Sequence, residues 1–334
     1  MMKKLQGEMI KWGKLLFERH LISGWGGNLS CRIGENEFLI TGRHAPLGFL
    51  TTEDLVQIDG SGRPLNGEHP ASSETPLHLA VYAATGTDVI VHVHPPMVLA
   101  FSLTHDHFVP VSFEEKYTIG EVPIIAQDTP TVTKPERFAE ELKYRPVGII
   151  KGHGTIAIGK NFQEAFLLTD LLEEAVRCRF FTNIRGESDV LIADQKKRQE
   201  GPAETQTGKS YVLFSEEHMS ALVHRANHDS QFRSQGEETG LSTSLTLFLE
   251  DRAAAWTVYF DRGEITHLDS DNRGEFLISG TEEWWSAVFG ARIDPFLATQ
   301  HGKLKLERGE LAQLARWYKP FQRAFSLWQT ILIQ

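Results

Sequence analysis

The chain has 334 residues, a length that suits two domains of roughly 150 residues each. Hydrophobic residues make up 41% and charged residues 23%, a globular mix that excludes a disordered chain. With 34 Lys and Arg against 44 Asp and Glu, the net charge of −10 excludes a broad basic footprint for nucleic acid, and no nucleic-acid partner is expected.

Met1 to His20 alternates Lys, Glu and apolar residues at helical spacing and lacks the apolar centre of a signal peptide. Glu37–Thr41 reads as a strand, as does Leu55–Ile58, which the turn Asp59-Gly60-Ser61-Gly62 ends. Pro76–Thr85 reads as a helix with proline in its first turn. Asp88–His94 is a strand halted by Pro95-Pro96. Val147–Ile150 and Thr155–Ile158 are strands around Gly152-His153-Gly154. Asn161–Ile184 is a helix capped by Asn161, with Glu164 three residues on and an apolar stripe from Ala165 to Val176. This alternation predicts an α/β domain, a sheet flanked by helices, over residues 1–186.

Residues 187–209 are charged and rich in Gln, Glu and Pro, and are expected to link two domains. Over residues 210–334 the pattern changes. Leu245–Glu250, Ala254–Phe260, Glu264–Leu268 and Glu275–Ser279 read as consecutive strands, and Glu282–Phe289 and Glu310–Phe325 as helices. That predicts a meander plus helices, an α+β domain. No apolar run approaches the ~18 residues of a membrane span, so none is expected. Two cysteines, Cys31 and Cys178, imply no disulfide framework and fit a cytoplasmic protein.

Nine of the fourteen histidines precede residue 186, so chemistry is sought there. On the strand Val89-Ile90-Val91-His92-Val93-His94, residues two apart share a face. His92 and His94 therefore point one way, while Val91 and Val93 face a core. Such a pair either holds one divalent ion or stands as two partly exposed histidines. His105-Asp106-His107 reads as a solvated loop. His153, between glycines at a bend, either projects into a cavity or bonds to backbone. Glu74, in Ala71-Ser72-Ser73-Glu74-Thr75-Pro76, precedes a helix start where free N–H groups favour anions. Ser72 and Ser73 there either bind a phosphate or carboxylate or simply cap the helix.

These residues, in this order, resemble the class II aldolase/adducin family, typified by fuculose-phosphate aldolase. The matching motifs are Gly27-Asn28-Leu29-Ser30, Ile40-Thr41, Leu50-Thr51 through Asp59-Gly60, Ser72-Ser73-Glu74, His92-Val93-His94 and His153-Gly154. The resemblance spans about residues 5–185 and implies a three-layer α/β/α domain. It further implies that His92, His94, His153 and Glu74 bind zinc or another divalent ion such as manganese, cobalt or iron, with Glu74 also acid and base. Asn28, Thr41, Gly42, Arg43, Ser72 and Ser73 would line the substrate site. Family members that bind phosphate carry a small hydroxyl and a glycine where this chain has Arg43-His44, so Arg43 is free to clamp a carboxylate instead. A proton donor reaches the site from a neighbouring subunit in fuculose-phosphate aldolase. Glu114 falls at that position here, with Tyr117 as the other candidate, and a homotetramer is implied.

Residues 210–330 resemble the sterol carrier protein 2 family through Ile278-Ser279-Gly280-Thr281-Glu282-Glu283-Trp284, Asp294-Pro295-Phe296 and Gly302-Lys303-Leu304-Lys305-Leu306. That resemblance implies an SCP2-like α+β domain with an acyl or lipid ligand; alternatively, its apolar residues simply pack a core. The function expected of the whole is a metal-dependent carbon–carbon lyase acting on a small hydroxy-carbonyl substrate. Decarboxylation or epimerisation on the same scaffold, or a non-catalytic lipid-binding role, are the alternatives.

Overall fold

A computed structural model describes residues 2–66, 69–127, 129, 131–184 and 210–334. The chain divides into two units, Met1–Lys197 and Arg198–Gln334. The expected linker, residues 187–209, lies outside the described residues.

The first unit runs α1 Met2–Glu18, β1 Asn28–Arg32, β2 Glu37–Thr41, β3 Leu55–Asp59, α2 Thr75–Thr85, β4 Val89–Val93 and α3 Pro96–Ser102. It continues β5 His107–Phe108, α4 Phe113–Thr118, β6 Val122–Ile125, α5 Pro135–Leu142, β7 Val147–Ile150, β8 Gly154–Gly159 and α6 Phe162–Ile184. Its eight strands form one sheet in the order β3-β2-β1-β4-β8-β7-β6-β5. Strand β4 lies in the interior, antiparallel to β1 and β8. The pair β6 and β7 is parallel.

Alternation along β4 sorts its side chains into two cores. Val89, Val91 and Val93 pack with Met9 and Leu16 of α1 and Leu172 and Val176 of α6. Ile90 packs on the other face with Leu77 and Val81 of α2 and Phe138 of α5. Helices therefore cover both faces, and the unit is a three-layer α/β/α fold. All five β4 residues are buried, His92 among them at 0% exposure. A polar ring buried this deeply must find partners there.

Asn161 Oδ1 accepts Glu164 N–H at 2.9 Å, while the Glu164 carboxylate reaches back to Lys160 N–H rather than to Asn161. The His105-Asp106-His107 segment was expected as a loop, yet His107 enters β5 opposite Pro123. The neighbouring Phe108 is fully buried, and its burial draws the backbone onto the sheet edge.

The second unit runs α7 Glu216–Asn227, α8 Ser230–Thr239, β9 Ser242–Leu249, β10 Ala254–Asp261, β11 Glu264–Asp269 and β12 Phe276–Gly280. Then come α9 Glu282–Phe289, α10 Pro295–Gln300, β13 Lys305–Arg308, α11 Leu311–Leu314 and α12 Tyr318–Trp328. It is α+β, but its sheet is not the expected meander. The order is β11-β10-β9-β12-β13, with β12 parallel to β9. Every residue of β12 is buried, so the strand takes an interior position rather than the edge beside β11. The returning chain is held by side-chain hydroxyls: Thr257 Oγ1 donates to Asp271 O, and Thr246 Oγ1 accepts Gly274 N–H. The helix expected over Glu310–Phe325 is broken into α11, a 3-10 turn and α12. Pro320 explains the break, because it lacks an N–H and fits only a first turn. Trp285, Trp328, Phe232 and Phe276 are fully buried in this unit. Its apolar cavity, between Leu245, Ile278, Phe296 and Phe321, encloses about 20 Å³, space on the order of one water molecule. No described helix is long and apolar enough to cross a membrane.

Candidate metal centre

Three histidines converge where β4 ends. His92 is the one polar side chain of β4 and faces the α2 side of the sheet. Pro95 and Pro96 end the strand, so His94 stands just beyond it. His153 comes from the turn between β7 and β8, where Gly152 adopts a φ of 66°. The ring centroids are 5.2 Å apart for His92 and His94, 4.9 Å for His92 and His153, and 4.6 Å for His94 and His153. One ligand nitrogen from each lies within 4.8 Å of the others.

The close approach depends on missing side chains. A Cβ on Gly154 would overlap Val93 O and stand 2.6 Å from His94 Cδ2. Gly27, at φ 82°, would place a Cβ 2.6 Å from His92 O.

The donor chemistry fits a divalent ion. His92 Nδ1 lies 2.8 Å from Thr155 O, and a carbonyl can only accept, so Nδ1 carries the ring proton. Its Nε2 lone pair then faces His94 Nε2 at 3.4 Å. Burial pushes the His92 imidazolium well below its ordinary range, and His94, His153 and His78 push it further. Burial, then His153, lowers His94 to about 4, and burial lowers His153. Three neutral imidazoles are the form in which histidine binds a metal. Gln127 supports the third. Its Nε2 lies 3.0 Å from His153 Nδ1, while its Oε1 is buried without a partner. Turning the amide lets Oε1 accept the Nδ1 proton and leaves the lone pair on His153 Nε2.

The triad opens into a cavity of about 440 Å³, in the size range of small-molecule sites. Asn28, Gly42, Arg43, Ser72, Ser73 and Glu74 all line it with the three histidines. Thr41 does not. It is 1% exposed, and its Oγ1 accepts Leu29 N–H, which locks β1 to β2. Glu74 sits at the N-cap position of α2 and is 5% exposed. Burial raises its carboxyl, opposed by the hydrogen bond from Val132 N–H at 3.4 Å. Glu74 faces the same cavity, but the converging ligand group contains the histidines alone. Arg43 makes no side-chain hydrogen bond or ion pair among the described residues, and its backbone N–H bonds Pro70 O.

Glu114 and Tyr117 are not brought to this cavity. Both lie on α4, which packs against α6, and neither contributes to the lining. Other contributors carry weaker sequence signals. His44, at a φ of 61°, and Thr131 also line the cavity. Behind Asn28 stand the buried Ser30, His78 and Tyr82. Spacing signals for two of these existed: Ser30 follows Asn28 by two on a strand, and His78 follows Glu74 by four at a helix start.

The motif order, the layered fold and the triad agree with one family, Class II Aldolase and Adducin N-terminal domain, whose pattern matches residues 7–180. The chain belongs to this family. It is 30% identical over 178 residues to L-fuculose phosphate aldolase of Methanococcus maripaludis, covering 53% of this chain and 96% of that one. It is 31% identical over 205 residues to 3-oxo-tetronate 4-phosphate decarboxylase of Haemophilus influenzae, covering 57% and 95%. A solved structure of sterol carrier protein 2 aligns with 36% of this chain and 98% of its own, at 21% identity and a TM-score of 0.33. Class II aldolases typically depend on a divalent metal, and this class II aldolase domain has the histidine triad to hold one.

Two outcomes follow from the geometry. In metal-free protein, His78 is held down to about 3, His94 to about 4 and His92 well below its ordinary value. Unfolding frees all three to titrate near ~6.5. Stability is therefore fully present above that value and is lost as pH falls toward the folded values. Denaturant unfolding at about pH 5 should be accompanied by net proton uptake by these rings; a stability unchanged between neutral pH and pH 5 contradicts this. Separately, Gly154→Ala should weaken zinc binding by about 10–100-fold, read by competition with a chromogenic chelator.

Proposed function

We propose that the first unit is a divalent-metal-dependent lyase that cleaves or forms a carbon–carbon bond beside a hydroxy-carbonyl group. The convergence of three neutral imidazoles and the buried Glu74 on one cavity carries this reading. Zinc, or manganese, cobalt or iron, held by His92, His94 and His153 supplies Lewis acidity toward adjacent hydroxyl and carbonyl oxygens.

The chain's own residues do the rest. Burial brings the Glu74 carboxyl closer to neutrality, so it can both accept and return a proton. In the cleavage direction a base takes the hydroxyl proton, a carbonyl forms there, and the carbon–carbon bond breaks. Glu74 then gives its proton to the carbon that keeps the electron pair. Arg43 holds an anionic group of the substrate, and Ser72 and Ser73 bond its oxygens at the α2 end. The base at the departing aldehyde is the partner subunit's Glu114 or the partner subunit's Tyr117, which makes a homotetramer part of the proposal. Two unpaired thiols, Cys31 and Cys178, accord with a cytoplasmic setting.

A second reading keeps the centre and changes the bond. The Arg43 guanidinium lines the cavity without a side-chain partner among the described residues, which suits a carboxylate, and one relative is a decarboxylase. Carbon dioxide release in place of an aldehyde product identifies that reaction. For the second unit we keep the proposal of an SCP2-like acyl site. Its cavity of about 20 Å³ admits an acyl chain only if Leu245, Phe296 and Phe321 move apart.

The test begins with metal content. Protein purified without chelator or histidine tag should hold about one divalent ion per chain, and His92→Ala should lose it. Glu74→Gln should keep fold and metal while turnover falls by about 10²–10⁴-fold. Near-normal turnover in that variant removes Glu74 from the mechanism.

A further inference from the structure

Ser30, His78 and Tyr82 form a buried chain behind the cavity that the lyase reading does not use. Ser30 Oγ lies 2.6 Å from His78 Nδ1 and 2.7 Å from the Tyr82 hydroxyl. His78 Nε2 lies 2.5 Å from Asn28 Oδ1. Ser30 is 1% exposed, His78 0% and Tyr82 3%. At that burial each hydrogen needs an acceptor inside the protein.

Counting donors and acceptors gives the chain one direction. The Tyr82 hydroxyl meets no acceptor other than Ser30 Oγ among the described residues, so it donates to Ser30. Ser30 must then donate onward, and His78 Nδ1 is the acceptor. Burial holds His78 down to about 3, so the ring is neutral and carries one hydrogen. With Nδ1 accepting, that hydrogen is on Nε2 and goes to Asn28 Oδ1. The reverse order would leave the phenol hydrogen unpaired in the core.

The consequence falls on Asn28. It pairs with His92 across β1 and β4 and lines the cavity. With Oδ1 engaged by His78, the amide turns Nδ2 toward the cavity, where it has no partner among the described residues. We propose that Tyr82, Ser30 and His78 are positioning residues that fix the Asn28 amide as a hydrogen-bond donor to an anionic oxygen of the substrate. The role toward substrate rests on the lyase reading; the amide orientation rests on the hydrogen bonds alone. A fixed donor suits a site where negative charge develops on a substrate oxygen, whereas an inward Oδ1 would repel it.

Nitrogen-15 NMR of histidine-labelled full-length protein decides the orientation, with the His78 signals assigned by their loss in His78→Asn. At neutral pH, His78 should be neutral with its hydrogen on Nε2. A hydrogen on Nδ1, or a doubly protonated ring, overturns the proposal. Kinetics of zinc-loaded protein test the role. Ser30→Ala and Asn28→Asp should each lower kcat by about 10²–10³-fold, with KM changed far less and zinc per chain unchanged. Ser30→Thr, which restores the hydroxyl, should recover most of the loss. An unchanged kcat in Ser30→Ala also overturns the proposal. A wild-type protein with no turnover of hydroxy-carbonyl compounds counts against the lyase reading alone, and the tautomer of His78 then decides the orientation by itself.

Discussion

An imidazole with no solvent exposure, set in an interior strand of an eight-stranded sheet, is the constraint around which the first unit is built. His92 has two nitrogens to satisfy in a core of valines and isoleucines. Thr155 O on the adjacent β8 takes the Nδ1 proton, so the register of β4 against β8 sets the tautomer. The other nitrogen is left with a lone pair directed at His94. A sheet shifted by one residue would turn His92 into the α6 core, where no such acceptor waits.

The same economy of space shapes the rest of the centre. Backbone comes so close to β4 that Gly27 and Gly154 are required beside it. The α2 helix delivers Glu74 at its N-terminus and His78 one turn later, one facing the cavity and the other sealed behind it. The cavity is therefore lined by polar groups whose own supports are buried. Such support holds the lining groups in place without solvent to reorganise. Arg43, His44 and Ser73 are the exceptions. They are exposed on the cavity rim, and His44 takes a left-handed backbone conformation that costs about 1 kcal/mol or more.

The second unit answers to a different constraint. Its strand β12 is buried on both faces and so must sit inside the sheet, which forces the chain to cross from β11 and pair parallel to β9. Aromatic residues fill the space under the sheet, leaving about 20 Å³ empty.

The sequence by itself determined whatever depends on short spacing. The alternation from Val89 to Val93 placed His92 among core valines, the capping pattern at Asn161 placed α6, and the spaced Ser-Ser-Glu, His-Val-His and His-Gly motifs pointed to the family and to the three histidines that converge on one cavity. Tertiary structure alone decided what depends on strand register and packing between distant segments. Only the β1–β4 pairing sets Asn28 beside His92, and only the packing of α2 on that face closes the chain from Tyr82 to Asn28. The same holds for the separation of Glu114 and Tyr117 from the cavity and for the position of β12. Local periodicity carries no information about which distant strand becomes a neighbour, because that choice is made by burying faces against one another.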